Sequence, residues 1–538
     1  MNKKIEAVIA KINSTVGTNN SPVYNSHLYW SQKPYNICDI LIQGLSEKND
    51  VVCDPFMGSG VTIFEAVSKK NSRRAIGIEV NDYPIYLLKT LLEKHSLSDF
   101  EFEAQLIIEK INQLQNDIYN SMCPICGHEN IIDKSMFEYG SAGEKVLTNV
   151  FYKCERCGAK IETPSKEDFI NFNKFNNDNF EYFKNIDLIP DSRIAVRENE
   201  TLHDIFTKRN LKALDSILRV IENTKYHDLY IYSLLGVMHL CKITDPKSSS
   251  QWPLWTPNKD CVEKNVFNLF LKSLNKTICA LRSADSELPK NRSEAFCFEG
   301  LNTDSYLIVK NGTQFVDSSI IPDASVDLII TDPPYMGQVI YSEYMQLYKP
   351  LLKTEIEYDK EIIVIKTKER TKTEKDFFKD LGLAFKQISR MLKPDKYLCV
   401  YFHDANLKIW KQLIQIMDDA DLSFEGITHV NKGKSTLKNI VSPKKSMNGD
   451  AILFFTKKKP NYLKQTNLDE EECVKIACSI IENNGGFATT AQLYDNGVLE
   501  YIIKKGMLDF AASQYGDLTE LFTKYFKWND NGGLWSKL

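Results

Sequence analysis

The sequence lacks the features that mark membrane and secreted proteins. Its longest strongly apolar run without a charge, from Leu229 to Cys241, has 13 residues, well short of the roughly 20 that a membrane-spanning helix needs. The N-terminus has neither an unbroken apolar segment nor a small-residue cleavage site, so it does not resemble a secretion signal. The 13 cysteines are odd in number and scattered, unlike a secreted disulfide framework. We therefore expect a soluble, cytoplasmic protein with no membrane partner.

The chain also has little net charge and little histidine. Its 67 Lys and Arg residues nearly balance 71 Asp and Glu residues, for a net charge of -4, so any surface that binds nucleic acid must be local. Eight histidines are too few for a histidine-based nuclease centre, and no convincing Asp…Glu-X-Lys nuclease pattern is present. With 538 residues, 43% of them hydrophobic, the chain is long enough for two or three folded domains.

Short apolar runs alternate with helical patterns in two separated parts of the chain. Strands are predicted at 51–56, 75–80, 305–310, 326–332, 397–402 and 451–457. Helices are predicted from about 83 to 95, 374 to 392 and 406 to 418. This alternation is typical of an α/β fold with a doubly wound, mostly parallel, Rossmann-like sheet. We expect 1–115 and 301–460 to be the two halves of that domain.

The remaining segments have a different character. A cysteine-rich segment, 116–165, is followed by a stretch with helical pattern, 166–300, and together they interrupt the sheet domain. The last part, 461–538, has its own helical patterns and ends with Asn-Gly-Gly between aromatic runs, which predicts a β-hairpin. We expect a small, mainly helical domain there, with the hairpin as a wing.

A glycine-rich turn follows the first predicted strand. It reads Asp54-Pro55-Phe56-Met57-Gly58-Ser59-Gly60, and its glycines let the backbone approach a ligand closely. Glu79 ends the next strand, where a carboxylate can accept hydrogen bonds from both ribose hydroxyls of a nucleoside. No Gly-Lys-Ser/Thr phosphate loop is present, so a nucleoside without a triphosphate fits better, and S-adenosylmethionine is the obvious candidate. A purely structural turn is the alternative.

The second motif, Asp332-Pro333-Pro334-Tyr335, lies at the carboxyl end of a strand, where α/β sheets bind ligands. Two consecutive prolines fix φ and remove two donors, which leaves a rigid turn with its carbonyls as acceptors. The Asp332 carboxylate and the Pro333 carbonyl can accept both N–H bonds of an exocyclic amine, while the Tyr335 ring stacks on the base. The motif therefore predicts in-line methyl transfer to that amine; a turn that merely ends a strand is the alternative.

Two Cys-X-X-Cys pairs, each followed by glycine, predict a metal site. The ligands would be Cys123, Cys126, Cys154 and Cys157. Four thiolates at this spacing form a closed tetrahedral zinc site with a structural role. Disulfide bonds are the alternative, which a reducing cytoplasm disfavours. We expect this zinc ribbon to position the insertion.

These motifs resemble those of the amino-group DNA methyltransferases, which carry a DPFxGSG cofactor motif and a DPPY catalytic motif. The resemblance covers about 20–115 and 300–458, and it implies a methyltransferase sheet, double-stranded DNA as substrate and S-adenosylmethionine as cofactor. The family arrangement, with an insertion between the two motifs, also implies that 166–300 is the target-recognition region. The segment from His27 to Tyr35 resembles the family's extra cofactor motif, and Glu343, Tyr344 and His403 resemble a zinc-ribbon-containing adenine-specific subgroup. The implied cofactor-binding residues are His27, Tyr29, Lys33, Pro34, Asp54, Pro55, Phe56, Gly58, Gly60 and Glu79, with Thr313 and Asp317 as alternatives near the cofactor adenine.

The resemblance leaves the target open. Aspartate at the first position of DPPY favours adenine N6, whereas cytosine N4 enzymes more often have serine there. RNA guanine-N2 methyltransferases can share both motifs, but they usually carry an RNA-binding domain ahead of them, and only some 50 residues precede the glycine turn. A zinc-ribbon module that binds DNA without catalysis is a further alternative. A restriction endonuclease or another defence-system subunit would be a separate chain.

A lysine-rich stretch precedes the last predicted strand. From 431 to 449 it has five lysines and no acidic residue: Lys432, Lys434, Lys438, Lys444 and Lys445. Such a run is usually a solvated face. Because it flanks the predicted catalytic edge, we also consider contact with DNA phosphates.

Overall fold

The computed structural model describes residues 2–247, 253–336, 340–367, 370–431, 450–460, 465–530 and 533–538. An eight-stranded sheet forms its centre. The strands are β1 Val51–Asp54, β2 Arg74–Glu79, β3 Ser293–Ala295, β4 Ser305–Lys310, β5 Val326–Thr331, β6 Leu392–Phe402, β7 Leu422–Val430 and β8 Asp450–Lys457.

The strand order across the sheet is β7-β8-β6-β5-β1-β2-β4-β3. All neighbours are parallel except β8, which is antiparallel to both β6 and β7. The α/β prediction and its six strands are therefore confirmed. Sequence patterns missed β3, which has only three residues, and β7, whose pairing with β8 shifts register between Phe424 and Gly426.

Helices cover both faces of the sheet. Alternate strand residues belong to two separate cores: Val52 and Leu328 lie in one, and Cys53 and Ile329 lie in the other. The first core packs under the helices Tyr35–Leu45, Val61–Val67 and Asp82–Leu92, and the second under Glu374–Met391 and Leu407–Asp419. Burial on both faces explains the apolar runs in the central strands, such as 328–330 in β5.

One of these helices shows how local sequence sets an element. Thr373 precedes Glu374–Met391 and forms a reciprocal capping box with Asp376, which satisfies backbone N–H groups at the first turn. Phe377, Leu381 and Ile388 then recur on one face and are buried against the sheet. Burial of each such side chain stabilises the fold by about 1.5–3 kcal/mol.

The insertion leaves the sheet after β2 and returns at β3. It contains a hairpin, Asn120–Met122 with Glu129–Ile131, and a four-stranded sheet in the order Lys160–Ile161, Lys145–Lys153, Lys134–Tyr139, Cys261–Lys264. Its helices include Leu97–Tyr119, Lys166–Asn173, Lys208–Ile221, His227–Leu235, Met238–Cys241 and Val266–Glu287. The last of these packs against Leu97–Tyr119 and against the short helix Pro22–Asn25, so the insertion is anchored on the sheet domain.

The C-terminal part packs on the second half of the sheet domain. Its helices are Glu470–Asn483, Thr490–Leu493, Leu499–Lys504, Leu508–Gln514 and Leu518–Tyr525. The strands Phe526–Asn529 and Leu534–Lys537 form the hairpin that the sequence predicts, with Trp528 opposite Trp535. Side chains from this part share a core with the helix Leu407–Asp419. In the described part of the chain, no helix combines the length and the apolarity needed to cross a membrane.

Candidate active site

An open cavity lies at the carboxyl edge of β1, β2, β4 and β5. It encloses about 1120 Å³, counting its mouth. Residues from both predicted motifs line it: Tyr29, Lys33, Asp54, Pro55, Phe56, Gly58, Glu79, Thr313, Asp332, Pro333, Pro334 and Tyr335. They meet because the carboxyl ends of neighbouring parallel strands lie at one edge of the sheet.

The glycine turn is held against the acidic end of β2. Gly58 has a φ of 51°, and a Cβ there would lie 3.0 Å from the Tyr29 ring, so glycine is required for this close approach. Its backbone N–H donates to Glu79 Oε2 at 3.0 Å. The Thr313 hydroxyl donates to the Pro55 carbonyl and ties the loop after β4 to the same turn.

Two carboxylates in this cavity have raised pKa values. Burial raises the pKa of Asp54 to about 7, although the Thr331 hydroxyl donates to it at 2.9 Å. Burial likewise raises the pKa of Glu79 to about 6, although backbone N–H groups of Asn81 and Gly58 donate to it. Neither negative charge is fully compensated by the protein, so a ligand that brings a cation or hydroxyl donors would bind favourably here.

A buried amide oxygen adds to the fit for a nucleoside. Gln314 lines the cavity, and its Nε2 donates to the Lys360 carbonyl at 2.9 Å. Its Oε1 is buried and accepts no hydrogen bond within the described ranges. An exocyclic amine of a bound base would satisfy this acceptor, while Glu79 accepts from a ribose. The lining thus suits a nucleoside whose other end reaches Asp54.

Lys33, which lines the cavity, forms ion pairs with two carboxylates. Its Nζ lies 2.8 Å from Asp332 Oδ2 and 3.2 Å from Asp450 Oδ2. Burial lowers the pKa of Lys33, but the two carboxylates outweigh this effect and raise it overall. Burial raises the pKa of Asp332, and the lysine opposes that rise. Lys33 is therefore a charged partner of the predicted catalytic carboxylate as well as a cavity-lining residue.

Tyr335 points inward. Its hydroxyl donates to Asp332 Oδ1 at 2.5 Å and lies 3.2 Å from the Tyr401 carbonyl. Its ring meets Phe402 edge to face, with centroids 5.5 Å apart. The sequence predicts that this ring stacks on a base, whereas here the hydroxyl satisfies the buried carboxylate. Any other donor to Asp332 Oδ1 must compete with this hydrogen bond.

Four predicted cofactor residues lie outside the cavity lining. His27 is buried against Tyr232, and burial lowers its pKa to about 4. Pro34 precedes the helix Tyr35–Leu45, and Asp317 is exposed and accepts from Ser319 N at 2.9 Å. Gly60 has a φ of 78°, and a Cβ there would collide with Leu88. The lysines Lys432, Lys434, Lys438, Lys444 and Lys445 lie outside the described residues.

Sequence patterns did not single out much of the remaining lining. It includes Ser31, Thr62, Asn81, Asn311, Gln314, Tyr341, Lys360, Glu361, Ile362 and Ile363. The segment 360–363 is held over the cavity because Arg370 pairs with Glu361 at 2.6 Å and with Glu343 at 3.4 Å. Arg370 follows Glu361 by nine residues, a spacing that has no helical or strand periodicity. The sequence therefore does not predict these two ion pairs.

The four predicted metal ligands converge. Their Sγ atoms all lie within 4.8 Å of one another, with Cys123 and Cys157 3.8 Å apart and Cys126 and Cys154 3.5 Å apart. Zn–S bonds of about 2.3 Å in a tetrahedron imply Sγ separations of about 3.8 Å. Each pair sits in the turn of a hairpin, and the glycine after it has positive φ, 68° and 73°. The geometry fits a closed site for a divalent ion rather than disulfide bonds, in which the sulfur atoms are about 2.05 Å apart.

A protein-family model matches residues from both halves of the sheet domain. The N6/N4 methyltransferase family model, described as DNA methylase, matches residues 4–90 and 326–489, which include six of the eight strands. The Type II methyltransferase M.MjaII of Methanocaldococcus jannaschii is 19% identical over 344 residues, or 60% of this chain and 60% of that relative. M.HpaI of Haemophilus parainfluenzae, also a Type II methyltransferase, is 32% identical over 156 residues, or 26% of this chain and 47% of that relative.

The chain thus spans about half to three fifths of the length of these two relatives. Among solved structures, a candidate DNA modification methylase of Thermus thermophilus is similar at 14% identity with a TM-score of 0.15. The similarity covers 30% of this chain and 58% of that one. The fold assignment therefore stands on the strand order of this chain itself.

The lysine bridge has a measurable effect on stability. Lys33→Met removes the cation that lies 2.8 Å from the buried Asp332 carboxylate, and we expect a loss of about 3 kcal/mol of unfolding free energy at pH 8. The loss should shrink at pH 5.5, because Asp332, whose folded-state pKa burial raises, takes up a proton in the native state as pH falls. Urea unfolding at both pH values measures this. The exposed Lys48→Met is the control, and an equal, small loss at both pH values would contradict the assignment.

Proposed function

We propose, on the premise that this chain belongs to the amino-group N6/N4 DNA methyltransferase family, that it methylates an exocyclic amine of double-stranded DNA, with adenine N6 as the target. The observation that carries this proposal is the cavity itself, where Asp332-Pro333-Pro334-Tyr335 faces Asp54 and Glu79. Aspartate as the first residue of the catalytic motif supports adenine over cytosine N4. Because two relatives are Type II methyltransferases, we place the enzyme in restriction-modification or phage defence, with any endonuclease on a separate chain.

The cofactor assignment follows from the lining of the cavity. Bound S-adenosylmethionine would supply a methyl group activated by its positive sulfur. Asp54 would accept from the ammonium group of the methionine end, and Glu79 from the ribose hydroxyls. Gln314 Oε1 would accept from the adenine amine, which gives this buried oxygen the partner it otherwise lacks.

The chain's own residues would prepare the amine for reaction. Lys33 holds Asp332 through Oδ2, so Oδ1 is the oxygen left to accept one N–H of the amine, and the Pro333 carbonyl accepts the other. Both bonds orient the nitrogen lone pair and draw it out of conjugation with the base. When the nitrogen gains a methyl group it must lose a proton, and Asp332, whose pKa burial raises, would receive it.

The target base must leave the double helix, because its amine cannot otherwise reach a buried site. Tyr335 would release the Asp332 carboxylate as the amine takes its place, and its ring would then be free to stack on the base. Such stacking contributes about 1–3 kcal/mol per base. The hydroxyl of Tyr335 is therefore expendable for catalysis, whereas its ring is not.

Substitution of the acceptor tests this mechanism. Asp332→Ala removes the carboxylate that binds the amine and takes its proton, and we expect kcat to fall by about 10²–10³. Tyr335→Phe keeps the ring and should retain at least about a third of the activity, since a lost hydroxyl costs little once the base is bound. Transfer of tritiated methyl groups to unmethylated genomic DNA gives both rates. Wild-type kcat in Asp332→Ala would exclude the mechanism.

Cofactor binding should weaken in acid. Because Asp54 has a pKa of about 7, it is mostly protonated below that pH and cannot pair with the ammonium group. We expect the Kd of S-adenosylhomocysteine, measured by calorimetry, to rise about tenfold from pH 7.5 to pH 5.5. Asp54→Asn should bind weakly at both pH values with a flatter profile. A wild-type Kd that does not change over this range would refute the role of Asp54.

The four-cysteine site should hold structural zinc. We expect about one zinc per purified chain by mass spectrometry, because a closed thiolate tetrahedron binds Zn²⁺ tightly. Cys157→Ser should lose most of the metal and lower the Tm, whereas Cys279→Ser, which alters another exposed cysteine, should change neither. A fully folded protein without metal would show that the thiolates serve another purpose.

A further inference from the structure

A second groove lies on the insertion, between the four-stranded sheet and the helix Val266–Glu287. Its empty volume is about 1030 Å³, counting its open side. Five lysines line it: Lys134, Lys153, Lys160, Lys264 and Lys272. Asp133 and Glu162 are the carboxylates in its described lining, so lysines outnumber acids here in a chain whose overall charge is slightly negative.

Four of these lysines are placed opposite one another in the sheet. Lys134 is the cross-strand partner of Lys264, and Lys153 is the cross-strand partner of Lys160. Like charges directly opposite each other in antiparallel strands destabilise a sheet. Two such pairs beside one groove are an arrangement that folding alone disfavours, and a bound polyanion would offset it.

The lysines of this groove are not neutralised by neighbours. Within the described ranges, none of the five ammonium groups lies within 4.0 Å of a carboxylate oxygen. Asp133 Oδ1 instead accepts from Asn268 Nδ2 at 3.0 Å, and Lys134 lies over the Phe151 ring at 4.5 Å. The positive charge of the groove therefore stays available for a ligand.

The groove is connected to the candidate active site through packed helices. The helix that carries Lys272 also carries Ser273, and a Cβ on Gly236 would lie 3.0 Å from Ser273 Oγ and 2.9 Å from the Ser26 carbonyl. Ser26 directly precedes the segment that supplies Tyr29 and Lys33 to the cavity. The helix that carries Lys272 therefore packs against the short helix Pro22–Asn25, which directly precedes that segment.

We propose that this lysine groove binds the phosphodiester backbone of the DNA whose base enters the cavity. This inference rests on the proposed function for the identity of its ligand. Lysine ammonium groups act as point charges toward phosphates and carry no base specificity. The groove would therefore contribute to the affinity for DNA and to the position of the duplex on the protein. Other residues would recognise the base sequence.

The test compares binding of the full chain to a 30-base-pair duplex, by fluorescence anisotropy without cofactor, across salt concentrations. We expect the triple variant Lys153→Gln, Lys160→Gln, Lys272→Gln to reduce the slope of log K against log salt by about 2.7, which is about 0.9 per lost phosphate contact. Its Kd at 0.1 M salt should rise at least about tenfold. The matched triple Lys→Arg variant should stay near wild type.

A control with the same loss of charge is Lys3→Gln, Lys11→Gln, Lys48→Gln, three exposed lysines on the sheet domain. If it weakens binding as much as the groove variant, or if the groove variant binds like wild type, the proposal is wrong. The proposal also fails if polyglutamate binds wild type more tightly than the duplex and the groove variant loses that binding. If the groove variant loses DNA binding but the wild-type protein shows no methyl transfer, the proposed function is wrong while the groove proposal is supported.

Discussion

The pairing of Lys33 with Asp332 and Asp450 is the interaction on which the rest of the site depends. It joins the segment before the first sheet helix, the end of β5 and the start of β8. Burial and the charge of Asp450 raise the pKa of Asp332, and the lysine opposes that rise. Asp332 is held through Oδ2 by Lys33 and through Oδ1 by the Tyr335 hydroxyl, so both carboxylate oxygens have fixed partners.

The parallel sheet supplies the second constraint. β1 lies between β5 and β2, so the turns after these three strands must meet at one edge, whatever the length of chain between them. The insertion leaves the sheet after β2 and returns at β3, so it does not interrupt the pairing of the central strands. The cysteine cluster and the lysine groove therefore both lie on the insertion, outside the eight-stranded sheet.

Much of this organisation could be predicted from the sequence, because both motifs follow strands that are buried on both faces and therefore consist largely of apolar residues. The cysteine spacing similarly identified four thiolates that converge. Gln314 and Asp450 could not be found this way, since neither lies in a periodic or motif context. The role of Lys33 was also hidden, because its partner Asp332 is about 300 residues away along the chain. The inward turn of Tyr335 depends on the same buried carboxylate, which local sequence does not reveal.

The most direct measurement is the identity of the methylated nucleoside. Purified protein would be incubated with tritiated S-adenosylmethionine and either unmethylated genomic DNA or bulk RNA, and the digested product separated by chromatography. The account predicts N6-methyladenine in DNA, whereas N4-methylcytosine would correct only the base. Label in RNA alone, or no transfer to either polymer, would contradict the claim that this cavity methylates an amine of DNA.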